Sequence, residues 1–236
     1  MASYQFPSDV GVIGSGHWIL FEAFEPTGLI EQVASGSSAF NGAAKDIVFL
    51  FNPGGSQAPL VWQHEHEYED VKLMRVAANF AGIGQSSTGG IIPNIFGTAI
   101  NPRAEILYRN TNLRKFQLNF MMAPSSKKES ESMKNIIKVF RARSAPTLMG
   151  NTYNNVFKNP CEWRIRFFFK GENGNFSENT NIPKIGKSVI ERVDVDYTQN
   201  SEWSTFQDGS PVMSMITLMI REMPVIDSEA IEQRGY

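Results

Sequence analysis

The fold is decided by two alternating segments, Arg114-Lys-Phe-Gln-Leu-Asn-Phe-Met-Met122 and Glu162-Trp-Arg-Ile-Arg-Phe-Phe-Phe-Lys170, and by the helical segment between them. In each segment, apolar residues recur at every second position, which is the period of a strand with one buried face. In the first segment, polar residues occupy the other face. The two segments therefore predict strands that flank a helix, and they favour an α+β fold that is mainly β.

The intervening residues, about 127–143, predict one amphipathic helix. Pro124 ends the preceding strand. Ser126 and Glu129 have the spacing of a capping box, in which each side chain satisfies a free N–H group of the first turn. Pro146 prevents the helix from continuing. Four apolar residues follow the helical i, i+3, i+4, i+7 spacing: Met133, Ile136, Ile137 and Phe140.

Shorter patterns predict further strands on both sides of this block. They cover His17–Glu25, Asp46–Asn52 and Ser188–Tyr197. Residues 77–100 are rich in Gly, Ser and Ala, which is typical of a flexible insertion or loop. The chain length suits a single domain over residues 1–236 that contains this loop.

The last long strand pattern, Val212–Met223, is apolar on both faces. Such a strand is buried on both sides, or on one side by its own core and on the other by a neighbouring subunit. The second alternative predicts a sheet that is completed between chains. Its candidate residues are Val212, Met215, Ile216, Leu218, Met219 and Ile220.

Composition excludes several classes of protein. The net charge of −2 provides no electrostatic footprint for gripping nucleic acid. A single cysteine, Cys161, excludes an internal disulfide. The first residues lack the basic and apolar regions of a signal peptide, and no apolar run approaches the roughly 18 residues of a membrane span. We therefore expect no membrane partner and no specific nucleic-acid partner.

The motifs that could carry catalysis fail on their spacing. Gly14 and Gly16 supply two glycines of a dinucleotide fingerprint, but the third position is Ile19 and the residues that follow are typical of a strand. His64 and His66 could share one face of a strand, yet no third metal ligand has suitable spacing. Cys161 has no evident His partner. We expect no enzymatic activity, no cofactor and no metal.

A series of short motifs in fixed order resembles the baseplate tail-tube junction proteins, the tube initiator and cap, of contractile-tailed, T4-like bacteriophages. The resemblance covers more than half of the chain. The motifs are Phe6-Pro-Ser-Asp9, His17-Trp-Ile-Leu-Phe21, Asn101-Pro-Arg103, Leu107-Tyr108, Arg114-Lys-Phe-Gln-Leu-Asn-Phe120 with Pro124, Met133-Lys-Asn-Ile-Ile-Lys-Val-Phe140, Val195-Asp-Tyr197, Trp203-Ser-Thr-Phe206, Asp208-Gly-Ser-Pro211 and Thr217-Leu-Met-Ile-Arg-Glu222. The region 77–100 is short for that family, so initiator and cap both stay open.

The resemblance implies a tail-tube fold, a β-sandwich or barrel with one flanking helix, whose sheets are completed across a ring of six copies. Such a structural protein lies in the virion, at the junction of baseplate and tail tube, and is assembled in the host cytoplasm. Its partners would be further copies of itself, the baseplate hub protein and the tail tube protein or a second junction protein, with sheath and wedge proteins as further candidates. It would sit on the hub and template assembly of the tube.

In such a ring, the strands around 188–197 and 212–223 would line the inner surface. Asp194 and Asp196 would then face the lumen and make it acidic, so that passing DNA is repelled.

Two other functions remain open from the residues alone. A β-sandwich could bind carbohydrate or peptide if tryptophans form an exposed platform; the candidates are Trp62, Trp163 and Trp203. A nucleotide enzyme would have to use the loop Gly11–Gly16.

Overall fold

A computed structural model describes residues 2–10, 16–27, 40–51, 61–72, 104–148, 157–198 and 202–236. These residues are mainly β, with a many-stranded sheet and two helices, α1 (Lys127–Arg143) and α2 (Ser228–Arg234). The mainly β fold class with a helix at 127–143 is therefore confirmed. The strands are β1 (Ala2–Phe6), β2 (His17–Glu25), β3 (Asn41–Phe51), β4 (His66–Lys72), β5 (Ala104–Thr111), β6 (Lys115–Met122), β7 (Thr147–Leu148), β8 (Phe157–Lys158), β9 (Glu162–Lys170), β10 (Phe176–Glu178), β11 (Ser188–Asp196) and β12 (Ser214–Glu222).

The chain divides into two compact units. One comprises Met1–Gln63 with Leu113–Tyr236, and the other comprises His64–Asn112. In the second unit, β4 and β5 form an antiparallel two-stranded ribbon. Residues 77–100, predicted as a flexible insertion, lie outside the described residues. Compactness alone does not decide whether the chain folds as one domain, so the single-domain prediction stays a prediction.

The first unit is built on one sheet with the strand order β1-β3-β2-β9-β11-β12-β6, and β10 pairs with the end of β9. The sheet has a narrow point in its middle, because β11 pairs with β9 only at Ser188 and Trp163. The section β11-β12-β6, by contrast, is paired at many consecutive positions. The sheet therefore consists of two well-paired parts that are joined at one position.

Side chains from both parts of the sheet and from α1 share one hydrophobic core. Phe21 on β2 meets Phe120 on β6 edge to face at 5.7 Å, and it meets Phe140 on α1 at 5.2 Å. Phe140 also stacks on Trp163, with a centroid distance of 5.3 Å. These large rings are almost fully buried, so they join the two parts of the sheet and the helix into one packed body.

Helix α1 has the predicted bounds, but its cap differs in one respect. The Ser126 hydroxyl accepts a hydrogen bond from the Glu129 N–H, as predicted. The Glu129 carboxylate, however, accepts from the backbone N–H groups of Ser125 and Ser8, at 2.9 Å each, and from both hydroxyls. Led by the Ser8 N–H, these donors lower the pKa of Glu129 from 4.5 to about 2. The cap therefore also ties the residues after β1 to the helix.

Charged groups are buried at the end of the sheet. The Arg114 Nε and Nη2 atoms donate to the two carboxylate oxygens of Glu222, at 2.6 and 2.7 Å. Both side chains are almost fully buried. In a second buried group, Lys187 donates a hydrogen bond to the Thr27 hydroxyl and forms an ion pair with Glu162 at 2.8 Å. These pairs satisfy charges that would otherwise be costly to bury.

Candidate assembly surfaces

The residues predicted to form a sheet between subunits lie on and before β12. Ile216, Leu218 and Ile220 point into the chain's own core and are at most 1% exposed. Strand β12 is paired along one edge with β11 and along the other with β6. Its backbone is therefore already used within the chain. Val212 precedes the strand and donates its N–H to the Ser204 carbonyl.

The other side of this section, called the outer face below, is only partly covered. Met215 and Met219 on β12 are partly exposed, and Met121 on β6 is 59% exposed. Directly paired residues of antiparallel strands lie on the same face, which defines its members. They are Lys115, Gln117, Asn119 and Met121 of β6, Val189, Arg192, Asp194 and Asp196 of β11, and Met215, Thr217, Met219 and Arg221 of β12.

Asp194 and Asp196 lie on this outer face, but they do not make it acidic. The Arg192 Nε lies 2.7 Å from a carboxylate oxygen of Asp194. Asp196 accepts hydrogen bonds from the Thr198 N–H and hydroxyl. Three cations and three carboxylates lie together there among the described residues, if Glu191, which pairs with Arg221, is included: Lys115, Arg192 and Arg221 with Glu191, Asp194 and Asp196. That Asp194 and Asp196 face the lumen of a ring stays a prediction.

Strand β6 forms one end of the sheet. Within the part of the chain that the structure describes, β6 pairs only with β12. Among the described residues, no strand lies beside its second edge, and such an edge is a template for pairing with another chain. At the opposite end, β1 pairs only with β3 among the described strands.

A second surface is a groove of about 960 Å³ between α1 and the segment 203–211. Met133 and Ile137 line its base, and both are almost completely buried. Trp203, which is 73% exposed, lines the opposite wall. Six charged side chains line this groove: Lys127, Lys134, Lys138 and Arg141, with Glu131 and Asp208.

The tryptophans proposed as a ligand platform are not brought together. Trp163 is fully buried in the core. Trp62 is partly buried and packs against Phe116 and Phe167, with centroids at 5.9 and 5.7 Å. Only Trp203 of these three is strongly exposed. A platform made of all three residues is therefore excluded.

The predicted nucleotide loop lies mostly at residues 11–15, outside the described residues. Gly16, where the description resumes, leads directly into strand β2. The residues after the glycines therefore supply a strand where a nucleotide fingerprint needs the N-terminus of a helix.

His66 and Cys161 are described by their contacts and burial. His66 lies in β4, and its Nδ1 is 3.0 Å from the Thr111 hydroxyl. Cys161 is buried, and desolvation raises the pKa of its thiol. No cluster of three or more His, Cys, Asp or Glu side chains suited to a metal occurs within the described ranges.

No model of a protein family matches the chain, and no curated protein matches it either. The likeness to tail-tube junction proteins thus depends on the ordered motifs of the sequence. Neither of the helices that the structure describes is long and apolar enough to cross a membrane.

The groove was not predicted from the sequence. One of its walls was detectable, because Lys134, Lys138 and Arg141 follow helical spacing and so share a face of α1. The opposite wall follows a loop that no periodic pattern marks, so the pairing of basic helix and exposed tryptophan appears only in the fold.

Proposed function

We propose that this chain is a structural virion protein that forms a ring, with six copies, at the junction of the phage baseplate and the tail tube. It would sit on the central hub and template assembly of the tube, with no catalytic role. The ordered motifs of the sequence support this proposal, and so do the available edge of β6 and the partly covered outer face beside it.

The observation that carries the proposal is the combination of an available edge and an apolar-rich face on the same strand. In a ring, a neighbouring chain would continue the sheet from the edge of β6, because β12 is paired on both sides within its own chain. Extending a sheet from chain to chain removes its exposed edges, as closure does in a barrel. Met121, Met215 and Met219 would then be covered by other subunits or would line the inner wall.

Head-to-tail contact between two different surfaces, repeated around an axis, closes a ring. Strand β6 lies at one end of the sheet and β1 at the other, so the two edges are different surfaces. This geometry is compatible with cyclic symmetry, and the resemblance supplies the number six.

Three measurements test the proposal. Native mass spectrometry over rising protein concentration should detect a hexamer, and mass spectrometry of purified phage tails should detect the chain at a copy number that is a multiple of six. Cryo-electron microscopy of those tails should place it at the base of the tube. A chain that stays monomeric at every concentration and is absent from purified tails would contradict the proposal.

A ligand-binding module remains the alternative, supported by one observation: Trp203 is 73% exposed beside a groove. Exposed tryptophans are common platforms for sugars and peptides. A glycan and peptide array probed with the full chain and with Trp203→Ala tests this alternative. Signals that depend on Trp203 would favour it over the ring.

A further inference from the structure

The groove beside α1 has the charge of a site that receives an acidic partner. Lys134, Lys138 and Arg141 line the helix side, and no ion pair within the described part of the chain uses any of them. Lys127 is different, because it helps to lower the pKa of Asp208, after hydrogen bonds from Ser210. The three other cations thus have no carboxylate partner in the described part of the chain.

The groove also offers apolar surface of suitable shape. Its base is formed by Met133 and Ile137, while Trp203 and Tyr197 line the other side, 73% and 40% exposed. Exposed aromatic rings beside cationic side chains are typical of surfaces that bind a partner with both aromatic and acidic groups.

The ribbon β4–β5, in the second compact unit, has complementary chemistry. Residues 64–70 contain four carboxylates and no Lys or Arg, and the two strands also contain Glu105, Lys72 and Arg109, so the ribbon stays acidic in sum. Glu65 and Glu67 are exposed, and the Asn112 amide donates to both at 3.3 and 3.2 Å. Tyr68 and Tyr108 are 59% exposed each and contact one another edge to face. An acidic, aromatic ribbon and a basic, aromatic groove therefore occur on one chain.

We propose that the β4–β5 ribbon of one copy docks in the α1 groove of the next copy. The carboxylates of Glu65 and Glu67 meet the cations of α1, and the tyrosines pack toward Trp203. The ribbon and the groove are different surfaces, so the contact is heterologous, and its repetition closes a ring when the rotation between copies divides a full turn. This inference rests on the proposed ring and names a second contact between its subunits, beside the β6 edge.

Charge reversal tests this docking on the full chain. The first double variant, Lys134→Glu with Lys138→Glu, should weaken self-association about tenfold or more in sedimentation velocity. The second double variant, Glu65→Lys with Glu67→Lys, should weaken it by a similar factor. A chain that carries all four changes should recover association to within about threefold, because the pairs are restored with exchanged signs. Circular dichroism and thermal unfolding confirm that each variant is folded.

Matched controls have the same charge changes elsewhere. Lys128 is exposed on α1 but does not line the groove, and Glu172 is exposed in the turn after β9. Lys128→Glu and Glu172→Lys should leave association unchanged. The docking is wrong if the groove variants associate as these controls do, or if the variant with all four charge changes fails to recover self-association.

A cross-linking experiment identifies the partner. Glu67→Cys chains mixed with isotopically labelled Lys138→Cys chains should form mixed disulfide dimers, well above the amount formed by either chain alone. In a chain that carries both cysteines, a link confined to the monomer would contradict docking between copies. Single-stranded DNA provides the opposing test. If the chain binds it, and if the Lys134→Glu, Lys138→Glu double variant loses this binding while it keeps self-association, the groove is assigned to nucleic acid and the proposal is overturned.

The two proposals can fail separately. If rings form and the groove variants leave them intact, the docking is wrong and the ring stands. If the chain is found in purified tails but never self-associates in solution, the docking is also wrong, whereas the virion role is supported.

Discussion

The two faces of the section β11-β12-β6 have different relations to solvent, although β12 supplies both from one apolar segment. On the inner face, Ile216, Leu218 and Ile220 are at most 1% exposed. On the outer face, Met215, Thr217 and Met219 are partly exposed. Each face also has its own ion pair: Arg114 with Glu222 is buried, and Arg192 with Asp194 is exposed.

This difference separates the residues that stabilise a single folded chain from those that are available for contact with another subunit. Burial of apolar side chains stabilises the folded chain, and a buried charge must be paired. On the outer face the apolar side chains of β12 are only partly buried and the ion pairs are exposed, so these residues contribute less to the stability of a single chain. Such a face is available for contact with another subunit.

The largest effect should come from the buried ion pair. Arg114→Met leaves the Glu222 carboxylate buried without its bidentate partner, so we expect a loss of about 3–5 kcal/mol in the free energy of unfolding. Urea denaturation followed by tryptophan fluorescence measures it. The double variant with Glu222→Met should recover part of the loss, because no uncompensated charge remains.

The exposed pair provides the control. Arg192→Met breaks an exposed contact with Asp194, and ion pairs in solvent contribute little to stability, so this loss should be much smaller than that of Arg114→Met. Equal losses for Arg114→Met and Arg192→Met would contradict the distinction between the two faces.

The next effect should come from the inner face of β12. Leu218→Ala removes a fully buried side chain, which costs about 2–5 kcal/mol through lost burial and the cavity left behind. Thr217→Ala, on the outer face of the same strand, should cost less than about 1 kcal/mol. The comparison is broken if the Thr217 variant loses as much as the Leu218 variant in the same urea titration.

Much of the fold was predictable from the sequence. The bounds of β2, β9 and α1 match the predicted segments, because period-2 and helical patterns there are long and uninterrupted. Strand β12 is shorter than predicted, Ser214–Glu222 in place of Val212–Met223. The sequence patterns do not mark β1 or β10 as strands, since β1 pairs with β3, which is distant in the sequence, and β10 pairs with β9 at only three positions.

The candidate surfaces were less predictable. The doubly apolar pattern at 212–223 indicated two faces, yet pattern alone does not tell which face the chain covers. The covered face is the one that meets the shared core, which includes Phe21 of β2 and Phe140 of α1, whereas both edges of β12 are paired, with β6 and with β11. The strand predicted to join subunits is thus internal, and β6 forms the edge. The alternating pattern also did not indicate that Arg114, a charged residue at the start of a predicted strand, is buried.

Acid should weaken the folded chain through the buried carboxylate Glu129. Its pKa is about 2 in the folded chain, against 4.5, and the residue is only 5% exposed. A carboxyl group whose pKa is lowered by folding stabilises the folded chain above its unfolded pKa, and that stability is lost as the pH falls from about 5 to about 2. At about 1.4 kcal/mol per pKa unit, the difference between 4.5 and 2 corresponds to about 3.5 kcal/mol, of which about 3 kcal/mol is lost by pH 2.

Unfolding titrations at several pH values measure this effect. Glu129→Gln should be less stable at neutral pH and should lose less stability over the acid range than the original chain. A slope that Glu129→Gln leaves unchanged would show that other groups control the acid response.

The smallest effect on a single chain should come from Met121, at the edge strand. Its side chain is 59% exposed, so Met121→Thr should change the free energy of unfolding by no more than about 0.5 kcal/mol. If a neighbouring subunit covers the outer face, the same variant should nevertheless lower the fraction of rings in native mass spectrometry. Val225→Thr, at a site 57% exposed and away from the outer face, should change neither quantity. A Met121 variant that is as stable as the original and assembles equally well would show that the outer face stays in solvent, and the β6 edge would then have to pair without it.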